Sequence, residues 1–375
     1  MSRYEVAIVG GGLAGSAAAI TLAQAGRSVV LLEKESQAQH KVCGEFLSQE
    51  ALLYLDALGL EVETLGAVPI NYVRLAGRFG VSEAPLPFAS KALTRRTLDE
   101  ELLRLAERAG ATVLRGRRVL SLDREGEGWR LQLADETMVA ANTTFLATGK
   151  YDLRERPRPA GRQGDLIAFK MYWRLAPEQA AALEGHVELN LYRNGYAGLM
   201  PVEDGVANLC CLVKRAEYLR LGARWEHLLE AMQRDCPHLK QRLKGATPLL
   251  AKPLAISSIP YGFMREQSDG AWVLGDQAAV IPSFTGDGMS IALHSGRLAA
   301  GMYLQGETAE SFQQRLHSEL SRQVSLATVF SLAMVSEPRR TLVEAAVRVW
   351  PGILRQVTVW TRIQAEAMLS ASRVR

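Results

Sequence analysis

The sequence predicts an α/β fold that carries an inserted antiparallel sheet and ends in helices. Within residues 4–33, an apolar strand, a glycine-rich turn, an Ala/Leu-rich helix and a second strand follow one another. Residues 162–260 consist mostly of alternating apolar and polar positions, which is typical of strands with one covered face. Beyond residue 305 the apolar positions recur with helical spacing.

Composition limits the function classes. The chain has 375 residues, of which 48% are hydrophobic and 22% are charged, which favours two packed domains and excludes a disordered or fibrous protein. The 44 basic and 40 acidic residues give a net charge of +4 without a basic stripe, so nucleic acid is not an expected partner.

Cysteine and histidine patterns predict no metal site. The four cysteines form no CxxC pair, and the six histidines lack the spacing of metal ligands. Such cysteine usage favours the reducing cytoplasm. We also expect neither a signal peptide nor a membrane-spanning segment, because no apolar run is long enough to cross a bilayer.

The first glycine-rich turn has the spacing of a dinucleotide-binding loop. Gly10 permits the tight turn, Gly12 allows the backbone to approach a pyrophosphate, and Gly15 lets the helix lie close to the strand. Glu33 ends the second strand, where a carboxylate accepts hydrogen bonds from a ribose diol. Because no second turn of this spacing occurs, only one dinucleotide is expected to bind in this way.

A second motif lies far along the chain. A strand ending in Gly275 and Asp276 places a carboxylate at the edge of the sheet where ligands of open α/β folds bind, and this carboxylate can hold a ribityl hydroxyl. The turn at residues 285–288 leads into a helix near Met289. The free amides of that helix would face the pyrimidine end of a flavin.

Together with residues 43–45, Arg95 and the strand end at residues 147–149, these motifs resemble the FAD-dependent superfamily of para-hydroxybenzoate hydroxylase-like monooxygenases, geranylgeranyl reductases and flavin-dependent halogenases. The resemblance covers roughly residues 1–300 and implies a Rossmann-like domain that binds FAD. It implies that Val119 contacts the adenine and that Arg95 lies near the phosphate or ribityl portion. The residues expected to bind FAD are Gly10, Gly12, Leu13, Ala14, Gly15, Glu33, Lys34, Cys43, Gly44, Arg95, Val119, Gly275, Asp276, Gly286, Asp287, Gly288 and Met289.

The expected domains interleave along the chain. The FAD-binding domain is predicted to comprise residues 1–65, 94–161 and 261–304, and the C-terminal helical region residues 305–375. The substrate-binding sheet domain is predicted to comprise residues 66–93 and 162–260. We expect the C-terminal helices to pack as a cap on the core, with peripheral membrane contact as the alternative, because arginines alternate with their apolar residues.

The substrate is expected to lie under the inserted sheet. Tyr196, Met171 and Trp173 are the candidate substrate contacts. Residues 195–201 occupy the place of the WxWxIP run of the halogenases and the YxWxFP run of the geranylgeranyl reductases. Gly198 replaces the central tryptophan, which argues against a halogenase and also departs from the reductase run, of which Tyr196 and Pro201 are retained. Cys43 is the candidate catalytic residue, as a group that tunes the flavin or donates a proton; the alternative is a buried packing residue.

Three functions follow from this resemblance. The preferred one is an FAD-dependent monooxygenase that acts on an apolar or aromatic small molecule, with electrons from NAD(P)H or from a separate donor protein. The second is a flavin-dependent reductase of isoprenoid double bonds, in which Cys43 or a bound water supplies the proton. The third is a flavin-binding partner protein without turnover of its own.

Overall fold

The computed structural model describes residues 3–364 and 367–368 and has the expected α/β architecture. In chain order the strands are β1 (Arg3–Val9), β2 (Val29–Glu33), β3 (Phe46–Leu47), β4 (Val68–Pro69), β5 (Tyr72–Gly77), β6 (Gly80–Pro85), β7 (Lys91–Ala92), β8 (Thr112–Arg115), β9 (Val119–Glu125), β10 (Gly128–Leu133), β11 (Met138–Leu146), β12 (Leu166–Arg174), β13 (His186–Tyr192), β14 (Gly195–Val202), β15 (Val206–Lys214), β16 (Thr247–Pro248), β17 (Leu254–Ser257) and β18 (Trp272–Val273).

The helices are α1 (Leu13–Gln24), α2 (Gln49–Ala57), α3 (Arg95–Arg108), α4 (Pro177–Leu183), α5 (Arg215–Arg220), α6 (Trp225–Asp235), α7 (Pro237–Arg242), α8 (Gly288–Leu304), α9 (Ala309–Met334), α10 (Glu337–Val349) and α11 (Gly352–Trp360). Residues 225–242 form two successive helices, α6 and α7. Pro237 has no N–H to continue the helix, so the chain turns at Cys236 and restarts as α7. Among the described residues, no helix is both long and apolar enough to cross a membrane.

The first sheet is built around the N-terminal βαβ unit. Its order is β8-β2-β1-β11-β10-β9, with β18 added beside β11, and β8, β2, β1, β11 and β18 run parallel. The central parallel strands are apolar and buried over residues 6–9 of β1 and 29–32 of β2, as is typical of parallel strands covered on both faces. Consequently β1, β11 and β18 end at one edge of the sheet, where their following loops meet.

The second sheet is mostly antiparallel and has the order β16-β12-β15-β14-β13-β5-β6, with β17 paired to β12. One face packs against α5, α6 and α7 in an apolar core that includes Leu228 and Met232. The opposite face of the second sheet lies over the edge of the first sheet at which β1, β11 and β18 end. The short strands β3, β7 and β4 form a third sheet between these two units.

The C-terminal helices divide between the two units. Apolar residues of α9, such as Phe312 and Leu320, belong to the core of the first sheet. In contrast, Val347 of α10 and Leu354 of α11 pack in a cluster with residues from the second sheet. The helical region therefore spans the junction between the two sheets.

Candidate active site

The turn after β1 requires glycine for steric reasons. Gly10 has φ of 108°, in the left-handed region, and a Cβ at Gly15 would collide with the Gly10 carbonyl oxygen. The Glu33 carboxylate accepts hydrogen bonds from the backbone N–H of Gly11 at 2.7 Å and of Glu35 at 3.0 Å. This acid is therefore held at the turn, beside the N-terminus of α1.

Two cations face this turn from outside. An ideal Cβ at Gly12 would lie 3.7 Å from the Arg95 guanidinium and 3.9 Å from Lys41 Nζ. Asp99 holds both, accepting from Arg95 Nε at 2.8 Å and from Lys41 Nζ at 2.5 Å. Burial would raise the pKa of Asp99, but these two cations outweigh it and hold the pKa below its usual range. Two positive charges against one carboxylate leave a site that suits a phosphate.

The loop after β18 is fixed by buried polar contacts. Arg158 donates to the carbonyl oxygen of Asp276 at 2.6 Å, and Gln277 Nε2 donates to the carbonyl oxygen of Gly149 at 2.8 Å. Gly275 has φ of 57° and packs against Ala14 at the start of α1. The half-buried Asp276 is thereby placed at the common edge of β1, β11 and β18.

The turn before α8 is tied to the C-terminal helices. The Asp287 carboxylate is buried and bonds to Arg362, and it accepts from Gln323 Nε2 at 3.1 Å. Arg362 also donates to the carbonyl oxygen of Thr285 at 2.8 Å. Arg362 was not a predicted site residue, because no local pattern links it to a turn 75 residues away.

The remaining predicted FAD residues lie around the same edge. Leu13, Ala14 and Met289 are buried at the starts of α1 and α8. Val119 begins β9 close to the end of β2, since Arg117 donates its backbone N–H to the carbonyl oxygen of Glu33 at 2.8 Å. Lys34 is exposed, and its Nζ lies 4.0 Å from the centre of the Tyr151 ring.

The site has the features that FAD requires. A Cβ added at Gly44 or at Gly288 would meet no atom within 4 Å, so both backbones border open space. Thr148 Oγ1, at the end of β11, is buried without a hydrogen-bond partner in the described part of the chain. With the cations at Gly12, the carboxylate of Glu33 and the edge position of Asp276, these residues fit the phosphates, ribose and ribityl chain of FAD.

A buried acid cluster lies beside this space. The Glu45 carboxylate pairs with Lys170 Nζ at 2.5 Å and accepts from the Tyr172 hydroxyl at 2.7 Å and from the Arg95 backbone N–H at 2.8 Å. His40 Nδ1 lies 3.1 Å from the same hydroxyl. Burial raises the pKa of Glu45, despite the opposing effect of Lys170.

The acid cluster connects the interior with the surface. His40 lines a cavity of about 600 Å³ with Arg96 and Glu100 of α3. Burial and the neighbouring Arg96 lower the pKa of His40. Lys170 was not among the predicted functional residues, although a lone lysine within the largely apolar strand β12 was an available signal.

Cys43 lies between the cation pair and the acid cluster. Its half-buried thiol accepts from the Glu45 backbone N–H at 3.3 Å, and Asn208 Nδ2 donates to the carbonyl oxygens of Cys43 at 3.1 Å and Gly44 at 2.9 Å. Burial alone would lower the pKa of the Arg95 guanidinium. Its contacts with Asp99 and Cys43 outweigh the effect of burial and raise this pKa.

The substrate contacts expected at Met171 and Trp173 are wrong. Side chains of β12 alternate between the two faces of the sheet, and both residues pack into the core under α6 and α7, away from the site. Lys170 and Tyr172 occupy the opposite face. Tyr196 does face the site, where its hydroxyl lies 3.0 Å from Ser283 Oγ. The described residues contain no group of three or more His, Cys, Asp or Glu that could hold a metal.

We expect Asp276→Ala to weaken FAD binding about ten- to a hundred-fold, because a charge-assisted hydrogen bond to a ribityl hydroxyl is lost. The dissociation constant is measured by flavin fluorescence during titration of the deflavinated protein. Asp56→Ala, on the exposed surface of α2, is the matched control and should bind FAD as the wild type does. Equal affinities of both variants would contradict the role of Asp276.

Asp287 predicts a specific pH dependence. Burial raises the pKa of this carboxyl to about 7 in the folded chain, although the charge of Arg362 lowers it. In the unfolded chain the pKa of an aspartate is about 3.9. The folded chain binds the extra proton between these values, so this contribution to the free energy of unfolding is lost as the pH rises.

The measurement is the free energy of unfolding in urea, taken across the range from about pH 4 to about pH 7, for the wild type and for Asp287→Asn. We expect the wild type to lose stability relative to the variant as the pH rises, with no further relative change above the folded-state pKa. A difference independent of pH in this range would show that Asp287 stays ionised.

Sequence comparison agrees with this geometry. The family described as FAD binding domain matches residues 3–144, which contain β1, the glycine turn and Arg95. The menaquinone reductase of Mycobacterium tuberculosis is 26% identical over 351 residues, covering 88% of this chain and 84% of its own length. Digeranylgeranylglycerophospholipid reductase 2 of Methanosphaera stadtmanae is 23% identical, covering 79% and 76%.

Structure comparison shows the same fold in a solved protein. The myxobacterial chondrochloren halogenase CndH superposes with a TM-score of 0.77 over 99% of this chain and 96% of its own, at 20% identity. The glycine turn, the shared edge of β1, β11 and β18, and these relatives agree on one assignment. The chain is an FAD-dependent oxidoreductase that carries an FAD binding domain and is similar to the superfamily that contains para-hydroxybenzoate hydroxylase-like monooxygenases, geranylgeranyl reductases and flavin-dependent halogenases.

Proposed function

We propose that this enzyme reduces carbon–carbon double bonds in the isoprenoid chain of a lipid. The observation that carries the proposal is the acid cluster of Glu45, Lys170 and Tyr172, buried beside the Cys43 thiol at the FAD site. Both relatives compared above are named as reductases, one of menaquinone and one of digeranylgeranylglycerophospholipid, and both of these lipids carry isoprenoid chains.

Saturating a double bond adds a hydride to one carbon and a proton to the other. Reduced FAD, when bound, supplies the hydride. The protein must then provide the proton in a place that excludes bulk water. The Cys43 thiol is the proton donor in this proposal, because it lies at the FAD site and adjoins the acid cluster through the Glu45 backbone.

The acid cluster holds and replaces that proton. The Tyr172 hydroxyl bridges His40 and Glu45, so a proton that enters at the cavity lined by His40 reaches the Glu45 carboxylate through two hydrogen bonds. Burial raises the pKa of Glu45, so this carboxylate takes up a proton more readily than an exposed one does. Lys170 keeps the carboxylate in place in its ionised form.

An apolar cluster above the site suits an isoprenoid chain, and we call the space that such a chain would open among its side chains the substrate chamber. Residues from the second sheet, from the loop after β17 and from α10 and α11 form one apolar cluster, which contains Tyr196, Tyr261 and Leu354. An apolar substrate gains free energy by entering such a chamber and displaces water from the reacting bond. As the electron source we propose NAD(P)H, with a separate reductase as the alternative.

The test is a single-turnover reaction without oxygen. The FAD-loaded protein is reduced by NADPH or by dithionite and is then mixed with menaquinone or with a geranylgeranyl lipid. The mass of the lipid product is measured by mass spectrometry. We expect the product to gain two hydrogens per bond as the flavin reoxidises. If dithionite reduces the bound FAD and NADPH does not, a separate donor protein must supply the electrons.

Two results would overturn the proposal. Oxygen uptake that depends on substrate, with labelled oxygen in the product, would establish the monooxygenase that the sequence analysis preferred. Tight FAD binding without turnover of either kind would establish a flavin-binding partner protein. The anaerobic and aerobic reactions are run on one preparation, so the three functions are distinguished directly.

A further inference from the structure

We propose that the outer surface of α10 and α11 docks on an anionic lipid bilayer and delivers lipid substrate to the chamber beneath these helices. The inference rests on the proposed function for its purpose, but the surface itself stands on separate observations. We call this surface the docking face. Its exposed apolar residues are Phe79, Leu342, Val349, Trp350, Val359 and Trp360.

The docking face is unusually apolar for a solvent-facing surface. Val349 is 87% exposed and Leu342 69% exposed, and the indoles of Trp350 and Trp360 are 53% and 51% exposed. Leu342 and Val349 are seven residues apart and so lie on one side of α10. Exposed tryptophans beside aliphatic residues are typical of surfaces that enter the lipid headgroup region.

The β5–β6 hairpin extends the docking face. Arg348 of α10 donates to the carbonyl oxygen of Phe79 at 3.0 Å, which joins the tip of the hairpin to the end of this helix. Both α10 and α11 contact β6. The exposed Phe79 ring is thus held next to Arg348 and Val349.

The exposed charges between residues 338 and 360 are all positive, and Glu337, the partly exposed acid at the start of α10, accepts a hydrogen bond from Arg340 at 3.3 Å. Arg339, Arg348 and Arg355 are exposed on the two helices, and Arg78 is exposed at the hairpin tip. Between residues 338 and 360 the one acidic residue is Glu344, which is buried and paired with Arg340 at 3.5 Å. Arginines around an apolar centre complement the negative surface of an anionic bilayer.

The inner side of the same helices packs on the apolar cluster in which the substrate chamber is proposed. Val347 and Leu354 are buried in the apolar cluster that contains Tyr196 and Tyr261. The helices α10 and α11 therefore present apolar residues both to the chamber and to the outside. A lipid chain leaving a bilayer beneath them meets apolar surface along its path and avoids exposure to water.

A second copy of this chain is the other occupant to consider. Two docking faces brought together would place arginine against arginine without an exposed acid between residues 338 and 360 to pair them. Like charges in contact oppose such an interface. A bilayer with anionic lipids accommodates the same arginines with favourable pairing, so the charge pattern selects the membrane.

Vesicle sedimentation with the FAD-loaded full chain tests the proposal. We expect the protein to sediment with vesicles of phosphatidylcholine and phosphatidylglycerol and to stay in solution with phosphatidylcholine alone. Arg339→Gln/Arg355→Gln should weaken partitioning about 30-fold, as expected for two arginines removed from an anionic surface. Trp350→Ala/Trp360→Ala should abolish the blue shift of tryptophan fluorescence on addition of vesicles.

Matched controls lie on the other side of the molecule. Arg224→Gln/Arg234→Gln removes two exposed arginines near or on α6, and Leu219→Ala removes an apolar residue of α5 that is 62% exposed. Both controls should partition as the wild type does. If the control variants lost as much partitioning onto vesicles as the docking-face variants do, net charge would explain the binding and the proposal would be overturned.

Self-association is measured on the same variants by sedimentation equilibrium. A dimer that Trp350→Ala/Trp360→Ala dissociates, together with wild-type protein that ignores anionic vesicles, would assign the docking face to a second copy and overturn the membrane assignment. Because sedimentation does not depend on turnover, failure of the proposed reaction and failure of the docking face are separate results.

Discussion

Glu45→Gln is expected to lower turnover by about 100-fold or more, which is the usual contribution of a positioned proton donor or acceptor. The amide keeps the size of the side chain and can still accept hydrogen bonds from the Tyr172 hydroxyl and the Arg95 backbone. It cannot carry a proton between Tyr172 and the Cys43 segment. Turnover per bound flavin, with substrate added to the reduced holoenzyme, is the relevant measurement.

The control addresses stability. Neutralising Glu45 leaves Lys170 buried and unpaired, and such a loss costs about 3–5 kcal/mol. Glu45→Gln/Lys170→Met removes both charges and should recover much of the melting temperature without recovering turnover. If either variant turned over as fast as the wild type per bound flavin, the acid cluster would be structural only.

Gly44→Leu is expected to abolish FAD binding, with a loss in affinity of more than about 100-fold. The backbone of Gly44 borders open space, where a Cβ would meet no protein atom within 4 Å, and its φ lies outside the left-handed region. A leucine there should leave the folded chain intact and fill space that FAD needs. The measurement is FAD retained after gel filtration, with circular dichroism to verify the fold.

Gly164→Leu is the matched control. Gly164 is also surrounded by open space and also lacks a positive φ, but it is exposed in the loop before β12. Both variants add the same side chain to a loop. If FAD is lost in Gly44→Leu and retained in Gly164→Leu, the loss results from the location of Gly44 and not from the added leucine itself. Full FAD occupancy in Gly44→Leu would place the flavin elsewhere.

Local patterns carried the prediction of the first domain. The turn between Gly10 and Gly15 and the acid at Glu33 belong to one βαβ unit, whose elements are adjacent in sequence and in space. The steric need for glycine at this turn is therefore readable directly from residue types. The same holds for the arrangement of strand, turn and helix around Asp276.

The acid cluster could not be predicted in this way. The Tyr172–Glu45 hydrogen bond joins residues 127 positions apart, and it depends on how the second sheet lies over the first. Within β12 the sequence shows aromatic and apolar residues at successive positions, which does not reveal the face that each one takes. Met171 and Trp173 lie on the face of β12 that is turned away from the site. Because successive side chains of a strand point to opposite faces, a shift of one residue moves every predicted contact to the other face.

The bond between Arg362 and Asp287 has a thermodynamic consequence for the holoenzyme. It connects the segment after α11 to the turn that precedes α8, so we expect displacement of the C-terminal helices and occupancy of the nucleotide site to share a free energy of coupling. Linkage makes this coupling reciprocal. If vesicles tighten FAD binding by some factor, FAD must strengthen partitioning onto vesicles by the same factor, and Arg362→Ala should bring both factors towards one.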